Sequence, residues 1–235
     1  MTPKLEGAGD ERRRAADAAV GEVEAGMKLG LGTGRTAEFF VRFLGERVRA
    51  GLDVIAVPTS ERTEKLAHAE GIRLTTLDAH PALDLVVDGA DEIGPNLTLI
   101  KGAGGALFRE KIVASAASRM IVIAEAAKLV SRLGAVPLPI EIEPFGSGTT
   151  RAAIERAAAK LGLSGPVTLR LAGAGPFITE GGNHIVDASF GQIADPDTLA
   201  DALKRLTGVV EHGLFVGIAK AALVARGDRV ERLTA

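Results

Sequence analysis

MKLGLGTGRTAEFFVRFLGERVRAG, residues 27–51, carries three signals in a fixed order. Met27 to Leu31 reads as a short apolar strand and Gly32 to Gly34 as a glycine turn. Ala37, Phe40, Val41, Leu44 and Val48 then recur at helical spacing until Gly51. Strand, tight turn and amphipathic helix together are the repeating unit of an α/β sheet. Upstream, Ala15, Ala18, Ala19 and Val23 share one helical stripe over Arg14 to Glu24, and Gly26 stands where a C-terminal cap belongs.

Downstream the alternation continues. Asp53 to Val57 is a second strand, Thr59 or Ser60 caps a helix to about Glu70, and Gly71 ends it before a strand at Ile72 to Leu74. Apolar runs at Leu83 to Val87 and Leu97 to Ile100 precede a helix from about Gly105 to Ser118 and a strand at Met120 to Ala124. This order predicts a parallel sheet covered by helices on both faces. After Lys128 the texture changes: Val136 to Ile142, with Pro137 and Pro139, reads as an edge strand, and an alanine-rich helix follows over Thr150 to Leu161. Val167 to Leu171, Phe177 to Thr179 and His184 to Ser189 read as antiparallel strands around the turn Glu180 to Asn183. Asp195 and Pro196 open a last helix ending at Gly208. The expectation is an α/β domain over 1–132 plus 208–235, to which the apolar tail Val209 to Ala225 returns, and a smaller α+β domain over 133–207.

Composition narrows the function. Charges nearly balance, 28 Lys and Arg against 30 Asp and Glu, which argues against an electrostatic polyanion binder. With eight Phe and no Trp or Tyr, base-stacking platforms lack raw material, so no nucleic-acid partner is expected. The absence of Cys excludes disulfides, thiolate nucleophiles and Cys-based metal centres. The amino-terminal MTPKLEGAGDERRR has no apolar leader and no run of about 18 apolar residues occurs, so the expectation is a cytoplasmic protein without a membrane partner.

Gly30 to Thr36 lies between a strand and a helix, where small residues let backbone N–H groups face a phosphate or carboxylate. The loop also fits a loose dinucleotide pattern, but the second strand ends Val57-Pro58-Thr59-Ser60 without the acid that a ribose needs. No phosphate-binding Gly-Lys-Ser/Thr run of the nucleotide-hydrolase kind occurs. A second glycine loop, Lys101 to Gly105, again joins a strand to a helix, with Arg109, Glu110 and Lys111 one turn in. Asp88, Gly89, Ala90, Asp91 and Glu92 follow the apolar run, also at a strand's carboxyl end. In open parallel sheets such ends share one crevice. Asp88, Asp91, Lys101 and Glu110 in a partly desolvated cleft would let acid and base roles coexist. Any one of them alone reads better as a polar turn or a solvated helix face. The combination at three successive strand ends reads as a site.

GLGTGRT, PTSERTEKLA, VVDGADEIGPNLTLIKGAGGALFREKIVA, EGGNHIVD and GVVEHGLF, in this order, resemble the A-type ribose-5-phosphate isomerase family over nearly the whole chain. The resemblance implies a Rossmann-like sheet flanked by helices, a small α+β domain, and a homodimer or dimer of dimers. It implies interconversion of D-ribose 5-phosphate and D-ribulose 5-phosphate through a cis-enediolate, in the non-oxidative pentose phosphate pathway, with no metal and no organic cofactor. Glu110 then matches the catalytic base, and Asp88, Asp91 and Lys101 the acids and lysine lining the sugar. Thr33, Gly34, Arg35 and Thr36 match the first substrate loop, Gly89 and Ala90 lie within the aspartate segment, Gly102, Ala103 and Gly104 fall in the second loop, and Lys128 matches a substrate-contacting lysine. One carboxylate moving a proton between adjacent carbons, with an ammonium or amides steadying the oxygen, suits these residue types.

Three positions depart from the family pattern. Arg35 stands where Ser is usual, Arg12 or Arg13 where an amino-terminal Lys is usual, and Glu125-Ala126-Ala127-Lys128 replaces Asp-x-Ser-Lys. At least two members of the basic run Arg12 to Arg14 are expected simply to solvate a helix start. Two other classes compete with this reading. A sugar-phosphate sensor of the repressor kind would need a helix-turn-helix, and only about 25 residues precede the first strand. A coenzyme A transferase on a related sheet would not carry the segments quoted above.

Overall fold

A computed structural model of the chain describes residues 3–234, with side chains from residue 8 onward. Residues 1, 2 and 235, the outer limits of the expected large domain and the first two positions of the stretch read for a leader, lie outside the described residues. The order is α1 (Pro3–Val20), β1 (Lys28–Leu31), α2 (Arg35–Arg49), β2 (Ile55–Pro58), α3 (Glu61–Ala69), β3 (Arg73–Leu74) and β4 (Leu85–Asp88). Then come β5 (Glu92–Ile93), β6 (Leu99–Ile100), α4 (Leu107–Ser115), β7 (Met120–Glu125), β8 (Leu138–Ile142) and α5 (Ser147–Lys160). The remainder is β9 (Val167–Leu169), β10 (Leu171–Ala172), β11 (Gly175–Pro176), β12 (His184–Ala188), α6 (Pro196–Lys204), β13 (Val209–His212), β14 (Leu214–Phe215), β15 (Ala219–Arg226) and β16 (Arg229–Thr234).

The chain forms two compact units, one from Met1–Ala90, Arg109–Lys128 and Gly217–Ala235, the other from Asp91–Phe108 and Leu129–Val216. The first holds a seven-stranded sheet in the order β16-β15-β7-β4-β1-β2-β3. Its pairings are parallel except for the terminal hairpin β15–β16. Strand alternation sorts the side chains onto two faces. Leu29, Leu31, Leu85, Val87, Ile121 and Ile123 form one core with Ala15, Ala16 and Ala19 of α1, Phe40, Val41 and Leu44 of α2, and Ala67 of α3. On the other face, a β-carbon at Gly30 would meet Val86 at 2.4 Å and Val113 of α4 at 2.6 Å, so the missing side chain is what lets α4 pack there. The continuous apolar run at β4 follows from burial of both faces. The expected α/β fold is the observed one.

The amino-terminal helix differs from its reading. It spans Pro3–Val20 rather than Arg14 to Glu24, and Gly21, Glu22 and Val23 close it with tight turns onto Ala18, Ala19 and Val20. Apolar periodicity marks only the stretch that meets the core, whereas the earlier turns are charged. Of the basic run only Arg12 is drawn inward, pairing with Glu125. Arg13 is exposed, 5.3 Å from the Phe43 ring centroid, and Arg14 pairs with the exposed Asp228, so two of the three lie on the solvated face as expected, though well after the start of the helix.

In the second unit a four-stranded antiparallel sheet runs β13-β8-β12-β9. Leu138, Ile140, Ile142 and Val186 pack against Ile154 and Ala158 of α5 and Leu199 and Leu203 of α6. Asp195 caps α6 by accepting the Thr198 N–H at 3.0 Å. Strand β8 is internal, not the edge that its prolines suggest. Pro139 escapes the penalty because the β13 ladder ends at His212 opposite Ile140, and Gly213 donates its N–H to the Pro139 carbonyl at 2.8 Å. The apolar tail therefore divides: Val209–His212 belongs to this sheet, and Ala219–Arg226 returns to the large one. A small antiparallel sheet β14-β6-β5 and the hairpin β10–β11 complete the unit, so Leu99–Ile100 and the second glycine loop after it stand outside the parallel sheet in which the alternation places them.

Candidate active site

In the first unit, β1 ends in the turn that opens α2. Gly34 precedes the helix with φ 122°, in the left-handed region that favours glycine, and supplies no side-chain cap. Beside the turn, Asp88 ends β4 and is fully buried. Its Oδ1 accepts the Gly89 N–H at 2.7 Å and the Thr33 N–H at 3.2 Å, so the aspartate segment and the first glycine loop are tied together. The Thr33 hydroxyl lies 2.8 Å from that of Thr59, 2.7 Å from that of Ser60 and 3.1 Å from that of Thr63. Thr63 in turn donates to the Gly32 carbonyl at 3.0 Å and Thr59 to the Leu31 carbonyl at 2.9 Å. This hydroxyl cluster makes PTSERT part of the loop's scaffold as well as a helix cap.

Thr36 is buried in the first turn of α2, while Arg35 is exposed and lines an open cleft of about 310 Å³ with Arg12, Glu38, Phe39 and Arg42. Arg12 donates twice to Glu125 Oε1, at 2.8 and 3.2 Å. Burial raises the Glu125 carboxyl, but the Arg12 hydrogen bond, its own backbone N–H and the charges of Arg12 and Lys128 outweigh this and hold it below the usual carboxylate range. Lys128, half-buried, follows in a short 3₁₀ turn. Glu110 stands in the first turn of α4 and is 5% exposed. Ala90, partly exposed, closes this unit's part of the aspartate segment.

The second unit carries Asp91, Lys101, Gly102, Ala103 and Gly104. Asp91 accepts the Ala103 N–H at 2.9 Å, joining the other half of the aspartate segment to the second loop. Lys101 is 3% exposed, and its ammonium stands 5.5 Å from the Phe215 ring centroid. Gly102 has φ 111°, and a β-carbon there would meet Leu107 at 2.7 Å and Pro139 at 3.1 Å, so only glycine fits this bend. Ala103 and Gly104 are exposed. Glu92 is not open to a ligand: its carboxylate accepts the N–H groups of Gly134 at 2.7 Å and Val136 at 2.8 Å. Among the described residues no group of three His, Cys, Asp or Glu side chains is placed to hold a metal ion.

Three groups escaped the reading of the sequence. The Arg12–Glu125 pair spans 113 residues, and neither partner advertises the other. Arg170 donates to the Gly102 and Ala103 carbonyls across 68 and 67 residues. The hydroxyl cluster was visible only as a helix cap, though the density of hydroxyls in Pro58-Thr59-Ser60-Glu61-Arg62-Thr63 was a usable signal.

An α/β fold that ties a glycine loop to an aspartate at the end of a parallel strand is a scaffold suited to small anionic ligands. The particular family follows from comparison. The family model for ribose 5-phosphate isomerase A (phosphoriboisomerase A) matches residues 55–229. The ribose-5-phosphate isomerase A of Brucella suis biovar 1 is 57% identical over 228 residues, covering 95% of this chain and 98% of that protein. A solved D-ribose-5-phosphate isomerase in complex with phospho-erythronic acid superposes with a TM-score of 0.90 at 37% identity, covering 96% of this chain and 98% of the other. The ribose 5-phosphate isomerase from Plasmodium falciparum gives 0.90 at 39%, covering 97% and 99%. The chain belongs to the ribose 5-phosphate isomerase A family.

Proposed function

We propose that Glu110 is the base that moves a proton between the first two carbons of an open-chain pentose phosphate, through a cis-enediolate. Family membership makes the chain an isomerase of ribose 5-phosphate, within the pentose phosphate pathway. One carboxylate within hydrogen-bond reach of both carbons takes the proton from one and returns it to the other. Lys101 and the amides of Gly102 to Gly104 steady the oxygen as it gains negative charge. Asp88 and Asp91 hold the sugar hydroxyls, and Asp88 with Lys101 serves ring opening. Thr33 to Thr36 receive the phosphate, with Arg35 adding a planar guanidinium, and Lys128 contacts the substrate. Gly89 and Ala90 bring backbone close to the sugar.

The observation that supports this reading is burial of charge. Asp88 is 0%, Lys101 3% and Glu110 5% exposed. Titratable side chains are costly to bury and cluster at functional sites. These three stand beside glycine loops, whereas the buried carboxylate of Glu92 serves structure, taken up by the Gly134 and Val136 amides. The same reading makes the protein a cytoplasmic homodimer or dimer of dimers that works without a cofactor. Among the described residues no helix is long and apolar enough to cross a membrane. The test is a panel of phosphorylated and unphosphorylated pentoses: turnover of ribose 5-phosphate to the ketose is expected, and a preference for free ribose would overturn the phosphate assignment.

A further inference from the structure

The Gly102 to Gly104 segment is gripped on two sides. On one side Arg170 Nη1 donates to the Gly102 carbonyl at 2.9 Å and to the Ala103 carbonyl at 3.1 Å. The guanidinium is itself locked, donating from Nε to Asp187 Oδ2 at 2.8 Å and from Nη2 to Asp187 Oδ1, with a side chain 15% exposed. It also stands 5.9 Å from the Phe177 ring centroid, and that ring fills the space a side chain at Gly105 would need, 2.4 Å from a β-carbon there. On the other side Asp91 takes the Ala103 N–H.

In a trans peptide the carbonyl and the N–H point in opposite directions, and the described residues contain no cis peptide. With the Gly102 and Ala103 carbonyls both turned to Arg170, the N–H groups of Ala103 and Gly104 point away from it. The first is the one that meets Asp91. The second belongs to Gly104, an exposed residue where even a β-carbon would find nothing within 4 Å. We propose that Arg170, braced by Asp187, is a positioning residue of the isomerisation: it turns these peptides so that the Gly104 N–H donates to the sugar oxygen that gains negative charge. The inference rests on the reading of this loop as a substrate loop. A guanidinium suits the task because one planar fork reaches two carbonyls and a carboxylate at once, which a lysine's single ammonium cannot do in the same plane.

The test is steady-state isomerisation of ribose 5-phosphate by the wild-type chain, Arg170→Met and Arg170→Lys, with and without added guanidinium ion. A donor misplaced by about an ångström costs up to about a hundredfold in rate, so Arg170→Met is expected to lose roughly ten- to a hundredfold in kcat while KM moves less than about threefold. Guanidinium is expected to restore part of the loss in Arg170→Met and none in the wild type, a rescue that a merely structural residue would not show. Wild-type kcat in a folded Arg170→Met, or a loss confined to KM, overturns the inference while leaving the reaction intact. Absence of turnover in the wild-type chain overturns the reaction reading and the inference with it. Should Arg170→Met fail to fold, Arg170→Lys carries the same comparison: a several-fold lower kcat at similar KM supports the role, and an unchanged kcat refutes it.

Discussion

Gly32 lies so close to Asp88 that a β-carbon on it would stand 2.1 Å from Asp88 Oδ1 and 2.6 Å from the Asp88 α-carbon. The contact presses the first glycine loop against the end of β4, where Asp88 Oδ1 then meets the Thr33 and Gly89 amides. Gly32→Ala is expected to destabilise the protein by about 2 kcal/mol or more, the cost of overpacking where the neighbour is backbone as well as side chain. It should also lower kcat/KM by more than about tenfold, through displacement of Asp88. Gly104→Ala, with open space around its β-carbon, is the stability control and should unfold within about 0.5 kcal/mol of the wild type in denaturant titrations.

Removing the base should separate chemistry from binding. Glu110→Gln keeps shape and hydrogen-bonding reach but cannot accept the proton, so kcat is expected to fall by at least about a hundredfold. Calorimetric titration with a phosphorylated four-carbon sugar acid should still show binding. Turnover near the wild-type rate would remove Glu110 from the mechanism.

The Arg12–Glu125 pair makes stability depend on acid. Folding lowers the Glu125 pKa, so its contribution is complete above the ordinary carboxylate range and disappears as the pH falls through the lowered folded value. Glu125→Gln should therefore be less stable than the wild type by roughly 1–2 kcal/mol at neutral pH, in keeping with loss of a charge-assisted hydrogen bond. The two curves should converge as the pH drops below that range. A gap that persists unchanged in strong acid would place the effect in packing instead of charge.

Arg35 tests the phosphate assignment. It is exposed at the start of α2, so an ion pair there is worth on the order of 1 kcal/mol and weakens with salt. Arg35→Ser is expected to raise KM for ribose 5-phosphate by about three- to tenfold, with kcat within about twofold. Added salt should raise the wild-type KM more than that of the variant. A lower KM in Arg35→Ser would show that the guanidinium crowds the loop.

Chelation bears on the expectation of a cofactor-free reaction. EDTA, followed by desalting, is expected to leave the rate of ribose 5-phosphate isomerisation unchanged. Loss of rate restored by a divalent cation would require a metal in the mechanism.

The strand-turn-helix rhythm of residues 27–74 and the first glycine loop could be read directly, because each rests on contacts close in the chain, whereas Leu99–Ile100, read into the parallel sheet, pairs antiparallel with β5 and β14 instead. Apolar spacing sets which face of α2 is buried, and Gly34 and Gly102 are needed for backbone angles that other residues resist. Arg12, Arg170 and the internal place of β8 could not be read that way. Arg12 looks like any solvated arginine until Glu125 arrives from 113 residues away, and Arg170 until Asp187 and the Gly102 carbonyl close around it. Pro139 forbids a central strand only if its missing N–H faces a partner strand, and that depends on where β13 stops. Local chemistry is thus written in neighbouring residues. The partners that neutralise a buried charge or complete a ladder are chosen only when distant segments meet, since only then is water excluded and the pairing worth more than solvation.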